Sequence, residues 1–310
     1  MCPGWGGGTK DNVGSGAVAK IKMPVTGPVP VRRRTWWRRV RRDRLTLLAG
    51  AVLALTVAMA VVVPIASPYP YDFQDLLGVF QMPSRGHPLG TDHYGRDLLT
   101  RLAFGGRISL TVGGMAVLVQ VIVGLVVGAA SGFFGGWVDH ALMRVTDVVF
   151  AFPTLLFAIL VTGILGASLL NIVLALSMAG WPAMARTVRA EILGLKEKEF
   201  VEAARGLGAT SRRIIVRHLL PNVFYLVAVR ASLDIGPIII AEATLSFLGI
   251  GIQPPTPSWG VMIADAFQHI RTFPYLVLVP SAMLSVTILA FSFFGEGLAE
   301  ALDPRFGRAR

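Results

Sequence analysis

Few side chains in this chain of 310 residues are of a type and spacing suited to chemistry, and most stand singly in apolar sequence. Asp147, Glu242 and Glu296 each interrupt a long hydrophobic run, where an acid is costly unless it faces a polar interior and where its natural chemistry is proton handling. They lack a motif-level partner, and no histidine lies deep in such a run, so an ion-coupled carrier or intramembrane enzyme built on them ranks second. Arg230 and Asp234 are opposite charges one helical turn apart inside an apolar stretch. Counted from Asn222 at 1.5 Å per residue, they lie about 12 and 18 Å along the run, too deep to reach an interface fully. Two readings are open for them: an internal pair that satisfies itself, which is preferred, or a lining of a path through the bilayer. His87, Asp92 and His93 have metal-ligand chemistry, but two of them are adjacent in a Gly/Pro-rich turn and no third strong ligand is fixed by spacing, so no metal site is assigned. Cys2 is the single cysteine, which excludes an internal disulfide, and no Cys/His set has zinc spacing.

The elements that must position these residues follow from composition. With 54% hydrophobic and 15% charged residues, the chain has too little polar surface for a soluble domain of its length, so lipid must cover much of it. An all-α fold of six membrane spans is expected: 45–66, about 108–132, 141–165, 168–187, 222–249 and 275–298. Residues 1–44 form a tail, disordered to about residue 31 and then rich in arginine around Trp36 and Trp37, which suits an anionic leaflet better than nucleic acid. Residues 45–310 form the membrane domain. Leu98 to Leu102 reads as an interfacial helix ahead of the second span. In that span Gly124, Gly128, Gly132 and Gly136 recur every fourth residue and make a groove for close helix packing. Pro153 and Pro182, in the third and fourth spans, are expected to kink them on bundle-facing surfaces. The proline-rich segment 253–260 is an external loop.

One polar island breaks the apolar pattern, from Glu202-Ala203-Ala204 through Gly208 to Leu220-Pro221-Asn222. Phe200, Ala203, Ala204 and Leu207 fall at helical spacing and predict a helix over about 198–207 with one apolar stripe. Gly208 can end it in the left-handed conformation, and Thr210 or Ser211 can cap a second helix in which Ile215 and Leu219 lie one turn apart. Pro221 marks the restart of apolar sequence. The hairpin of about 198–221 carries Arg205, Arg212, Arg213 and Arg217, which keep it in water.

Glu202-Ala203-Ala204, Gly208 and Leu220-Pro221 at this spacing resemble the cytoplasmic loop of permease subunits of binding-protein-dependent ABC importers. His218-Leu219-Leu220-Pro221-Asn222 is similar to the dipeptide, oligopeptide and nickel branch, as are Leu89-Gly90-Thr91-Asp92, Gly95-Arg96-Asp97, Leu245-Ser246-Phe247-Leu248-Gly249 and Leu302-Asp303-Pro304-Arg305. The resemblance covers residue 45 to the end. It implies a type I importer permease fold with a coupling helix between spans four and five, where Glu202, Ala203, Ala204, Gly208, Leu220 and Pro221 meet an ATPase. It further implies two ATPase subunits that hold ATP and Mg, a second homologous permease, and an extracytoplasmic solute-binding protein. The cargo it implies is a dipeptide or longer peptide, with a nickel chelate or another solute left open. The chain itself has no Gly-x-x-x-x-Gly-Lys-Ser/Thr phosphate loop, so no catalytic residue is assigned to it.

Charge tests the orientation independently of that resemblance. With six spans and both termini in the cytoplasm, 23 of the 29 Lys and Arg residues lie inside, only Arg85, Arg96, Arg101, Arg107 and Arg271 lie outside, and Arg230 remains within a span. That asymmetry follows the positive-inside rule and sets the hairpin in the cytoplasm, and the resemblance implies a multi-pass protein of the bacterial inner membrane.

Overall fold

The computed structural model describes residues 43–302, and the expectations for the tail up to residue 42 and for Asp303-Pro304-Arg305 lie outside that range. The described residues are helical with no strand, only an isolated bridge between Thr91 and Asp97. Ten α-helices follow one another: α1 (Arg44–Ala66), α2 (Leu98–Phe134), α3 (Gly136–Phe150), α4 (Thr154–Leu165), α5 (Leu169–Leu195), α6 (Glu199–Gly206), α7 (Ser211–Ile214), α8 (Leu220–Phe247), α9 (Trp259–Phe267) and α10 (Tyr275–Leu302). Short polar residues start several of them. Asp43 accepts from the N–H groups of Leu45 and Thr46, Asp97 from Thr100, Ser168 from Asn171, and Ser258 from Val261. Each satisfies donors that a helix start leaves unpaired.

Five helical stretches are long and apolar enough to cross a membrane, and α3 with α4 makes a sixth if that pair is one span. The boundaries depart from expectation where sequence continues a helix past its apolar part. The helix that contains the second span begins at Leu98, ahead of Ile108, because Leu98–Leu102 is the first turn of a single 37-residue helix, not a separate interfacial helix. The third is broken, since α3 and α4 meet at 85° across Ala151–Pro153. Pro153 sits at the break and is exposed, whereas Pro182 lies inside α5 and is buried. The fifth does not restart at Pro221. Ser211 to Phe247 is one helical stretch of 37 residues, with a π turn at Ile215–Leu219 just ahead of the proline. A wider turn at this place relieves the clash and the missing donor that a proline brings to a helix interior.

Helix packing follows the small residues. A Cβ on Gly124 would meet Met184 at 2.4 Å, on Gly128 the carbonyl oxygen of Ala185 at 2.5 Å, and on Gly132 Ile192 at 2.9 Å. Those glycines let the α2 backbone lie against α5, as their spacing predicts. Gly136 is not part of the groove: it opens α3 and has open space around it. Buried apolar residues form one cluster in mid-bundle and one at each end. The segment 253–260 is a loop only in part, since Trp259 begins the buried helix α9, with its indole N–H on the carbonyl of Leu102 at 3.1 Å.

Candidate functional site

The hairpin forms as expected, with one face reversed. Helix α6 runs from Glu199 to Gly206, Gly208 takes φ +75, and the N–H groups of Gly208 and Ala209 close onto the carbonyls of Arg205 and Ala204 at 2.9 and 3.0 Å. This is a Schellman closure, and Thr210 then caps α7 by accepting from the N–H of Arg213 at 3.4 Å. The inward residues are Val201 and Ala204, which join Ile214 and Leu219 against Phe133, Val188 and Ile192 at the ends of α2 and α5. Arg205 lies over the Phe133 ring and Lys196 donates to the carbonyl of Gly132. Of the expected stripe only Ala204 turns inward. Phe200 (40% exposed), Ala203 and Leu207 (89% exposed) form a second apolar face that none of the described residues covers, beside exposed Glu202. Leu220 and Pro221 do not form a separate turn. They lie in the first turn of α8, which makes the hairpin's second arm continuous with the fifth span.

Further along α8, Arg230 Nε donates to Asp234 Oδ2 at 2.9 Å, and both side chains line an open cavity of about 550 Å3. Its walls come from Gln120 of α2, the elbow Phe150–Thr154, Leu176 to Ala183 of α5, and Pro237 to Ala241 of α8. The elbow is held by Arg186, which pairs with Asp147 at 2.6 Å and lies over the Phe150 ring at 4.3 Å. Gln120 went unread in the sequence, and at the elbow only a kink at Pro153 was expected, not an 85° break. The order Phe150-Ala151-Phe152-Pro153 was a signal, because a residue before proline avoids helical backbone.

The three acids considered for proton handling do not converge. Asp147 is spent on Arg186, Glu296 is exposed on α10, and Glu242 is fully buried, accepting from Ser109 and Ser246 at 2.8 Å each. None of the three lines the cavity.

At the end opposite the hairpin, Arg96 pairs with Asp92 at 2.6 Å, and fully buried Arg101 approaches Asp92 at 3.4 Å and Asp265 at 3.6 Å. This knot ties the segment before α2 to α9. The Nδ1–H of His87 donates to the Asp97 carboxylate at 2.9 Å, and burial lowers the pKa of His93. Among the described residues no group of three His, Cys, Asp or Glu is placed to hold a metal ion.

Comparison with known proteins matches residues 121–308 to the family described as binding-protein-dependent transport system inner membrane component, and residues 32–83 to the N-terminal TM domain of oligopeptide transport permease C. A glutathione transport system permease protein of Pectobacterium atrosepticum is 40% identical over 91% of this chain and 95% of its own length. A dipeptide transport system permease protein of Alkalihalophilus pseudofirmus is 36% identical over 87% and 88%. Among solved structures, an inward-facing methionine ABC transporter aligns over 65% of this chain and 96% of its own, with a TM-score of 0.52 at 16% identity, a likeness of fold.

Proposed function

The chain belongs to the family of binding-protein-dependent transport system inner membrane components, and from that premise we propose that ATPase subunits drive it through the exposed face of α6 and that its cargo is a short peptide. It is a membrane-embedded permease subunit of an ABC importer and not an enzyme. The observation that carries the coupling reading is the continuous helical stretch from Ser211 to Phe247. One end of that stretch is the second arm of the hairpin, and the other lines the cavity with Arg230, Asp234 and Pro237. Val201, Ala204, Ile214 and Leu219 seat the hairpin on α2 and α5, so it moves as a body with them. A displacement applied to Phe200, Ala203 and Leu207 by closing ATPases is therefore transmitted along α8 to the cavity wall, which is the rigid-lever form of alternating access.

The partners that complete such a device are two ATPase subunits holding ATP and Mg, a second similar permease subunit, and an external solute-binding protein. The relatives named for glutathione and dipeptide transport support a peptide cargo. The 23 to 5 distribution of basic residues supports a cytoplasmic hairpin and cytoplasmic termini in the inner membrane. In a Cys2→Ser background, Leu207→Cys is expected to resist a membrane-impermeant thiol reagent in intact cells and to crosslink to an ATPase subunit in inverted vesicles, while exposed Ser84→Cys reacts from outside. Labelling of position 207 from outside would overturn both the orientation and the coupling contact.

A further inference from the structure

The ion pair in α8 is not used up by itself. A guanidinium carries five N–H donors and a carboxylate two acceptor oxygens. The pair closes through Arg230 Nε and Asp234 Oδ2 alone, and neither side chain makes another hydrogen bond among the described residues. An arginine and a carboxylate serving only to satisfy each other favour the bidentate arrangement, in which two parallel N–H groups meet both oxygens. Here the contact is made by a single nitrogen. The terminal N–H groups of Arg230 and the second oxygen of Asp234 are left over, in side chains that are 42% and 19% exposed and line the cavity.

The cavity suits a solute that would use them. Its volume of about 550 Å3 lies within the roughly 300–1,000 Å3 common for small-molecule sites. Small residues, Ala179, Gly180 and Ala183, make one wall. Gln120 makes a further polar contribution: its Nε2 donates to the carbonyl of Leu176 at 3.0 Å, which leaves its side-chain oxygen without a donor among the described residues. Gly180 is needed for that placement, since a Cβ there would stand 2.2 Å from Gln120 Nε2. One cationic donor edge, one anionic acceptor and one neutral acceptor thus face a common space with otherwise mostly apolar walls.

We propose that Arg230 binds the carboxylate of the cargo inside the permease, with Asp234 holding the guanidinium in position and offering its second oxygen to an ammonium or N–H of the same solute. The ligand class is a short peptide with a free carboxylate. This rests on the importer reading and adds selection at the membrane step, after any selection made by the binding protein. It also changes the balance between the two readings of the pair, because a tie that is merely structural does not need its donor edge turned to a cavity.

The test is uptake by the complete complex in proteoliposomes, with one binding protein serving every variant so that its own preference cancels. The probes are trialanine and its C-terminal amide, supplied separately. Wild type is expected to take the free acid at least about tenfold faster than the amide, the difference one charge-assisted hydrogen bond confers. The neutral double variant Arg230→Gln with Asp234→Asn is expected to co-purify with its partner subunits and to lower the acid-to-amide ratio of uptake about tenfold relative to wild type, while the amide's own rate stays within about twofold. Arg230→Lys, which keeps the charge without the planar donor edge, is expected to fall between. An unchanged acid-to-amide ratio in the double variant would overturn the proposal. So would an equal loss of both probes in an assembled complex, because a structural tie acts on every cargo alike. Uptake of neither probe by wild type would instead refute the peptide reading, and the carboxylate site with it.

Discussion

Gly208→Val isolates the backbone of the hairpin proposed to couple the permease to its ATPases. Gly208 has φ +75, and no atom lies within 4 Å of where its Cβ would stand. Space therefore costs nothing, and the whole penalty is conformational. A left-handed residue with a side chain costs about 1–2 kcal/mol, and a β-branched one sits at the upper end. The hairpin has little to set against that. Helix α6 has eight residues, only Val201 and Ala204 of them buried, and two closing hydrogen bonds, from Gly208 and Ala209, that depend on the left-handed turn. Helices this short are marginal without tertiary support. A loss of 1–2 kcal/mol shifts the population of the formed turn by about 5–30-fold. ATP-driven uptake in proteoliposomes should fall by up to that factor for Val, while the amount of protein in the membrane stays constant, since no span is altered. Gly208→Asn, whose side chain tolerates the left-handed region, should retain most of the uptake. Wild-type uptake by the Val variant would refute the reasoning, and so would an Asn variant as poor as Val, because side-chain bulk at a contact would then matter and not φ.

Two further outcomes rest on packing. Gly128→Ala should lower the thermal stability of the detergent-solubilised protein by the roughly 1–3 kcal/mol typical of overpacking, since the new Cβ meets the Ala185 carbonyl at 2.5 Å and Val188 at 2.7 Å, while Gly163→Ala, with open space, leaves the melting temperature unchanged. Arg101→Met should remove most of the protein from the membrane fraction, as one partner lost from a buried ion-pair cluster costs about 3–5 kcal/mol and Arg96 alone is left to neutralise both Asp92 and Asp265, whereas exposed Arg85→Met should have no effect on an immunoblot.

What the sequence disclosed is what short-range physics decides. Gly208 ends its helix because only the local backbone is at issue, and Gly124, Gly128 and Gly132 face α5 because a four-residue repeat stays on one side of a helix. The break at Ala151–Pro153 was hidden because a proline after an apolar run reads alike whether the helix kinks or stops, and the 85° turn is accompanied by contacts with Arg186, 33 residues further on from Pro153 in sequence. The knot of Arg96, Arg101, Asp92 and Asp265 was hidden likewise, since Asp265 enters from α9, a helix that the proline-rich approach to it disguised as loop.

The reversed face of α6 carries the most consequence. Its helix has two apolar stripes, Val201 with Ala204 and Phe200 with Ala203 and Leu207, and periodicity alone cannot say which of them the chain covers itself. Burial decides it: Val201 is 0% exposed and Leu207 89%. Leucine at such exposure beside an alanine and a phenylalanine, on a helix that also exposes Glu202 and Arg205, is costly for a lone subunit, and the family to which the chain belongs is one of transport-system components. Residues that read as core in the sequence and lie open in the isolated subunit are thus read most simply as core of the assembly. That inference has a sharp consequence: Phe200→Ser and Leu207→Ser should leave the isolated subunit as stable as wild type, yet weaken its co-purification with ATPase subunits, whereas Val201→Ser should unfold the hairpin itself. Equal loss of stability in all three variants would mean that the exposed stripe is covered by this chain after all.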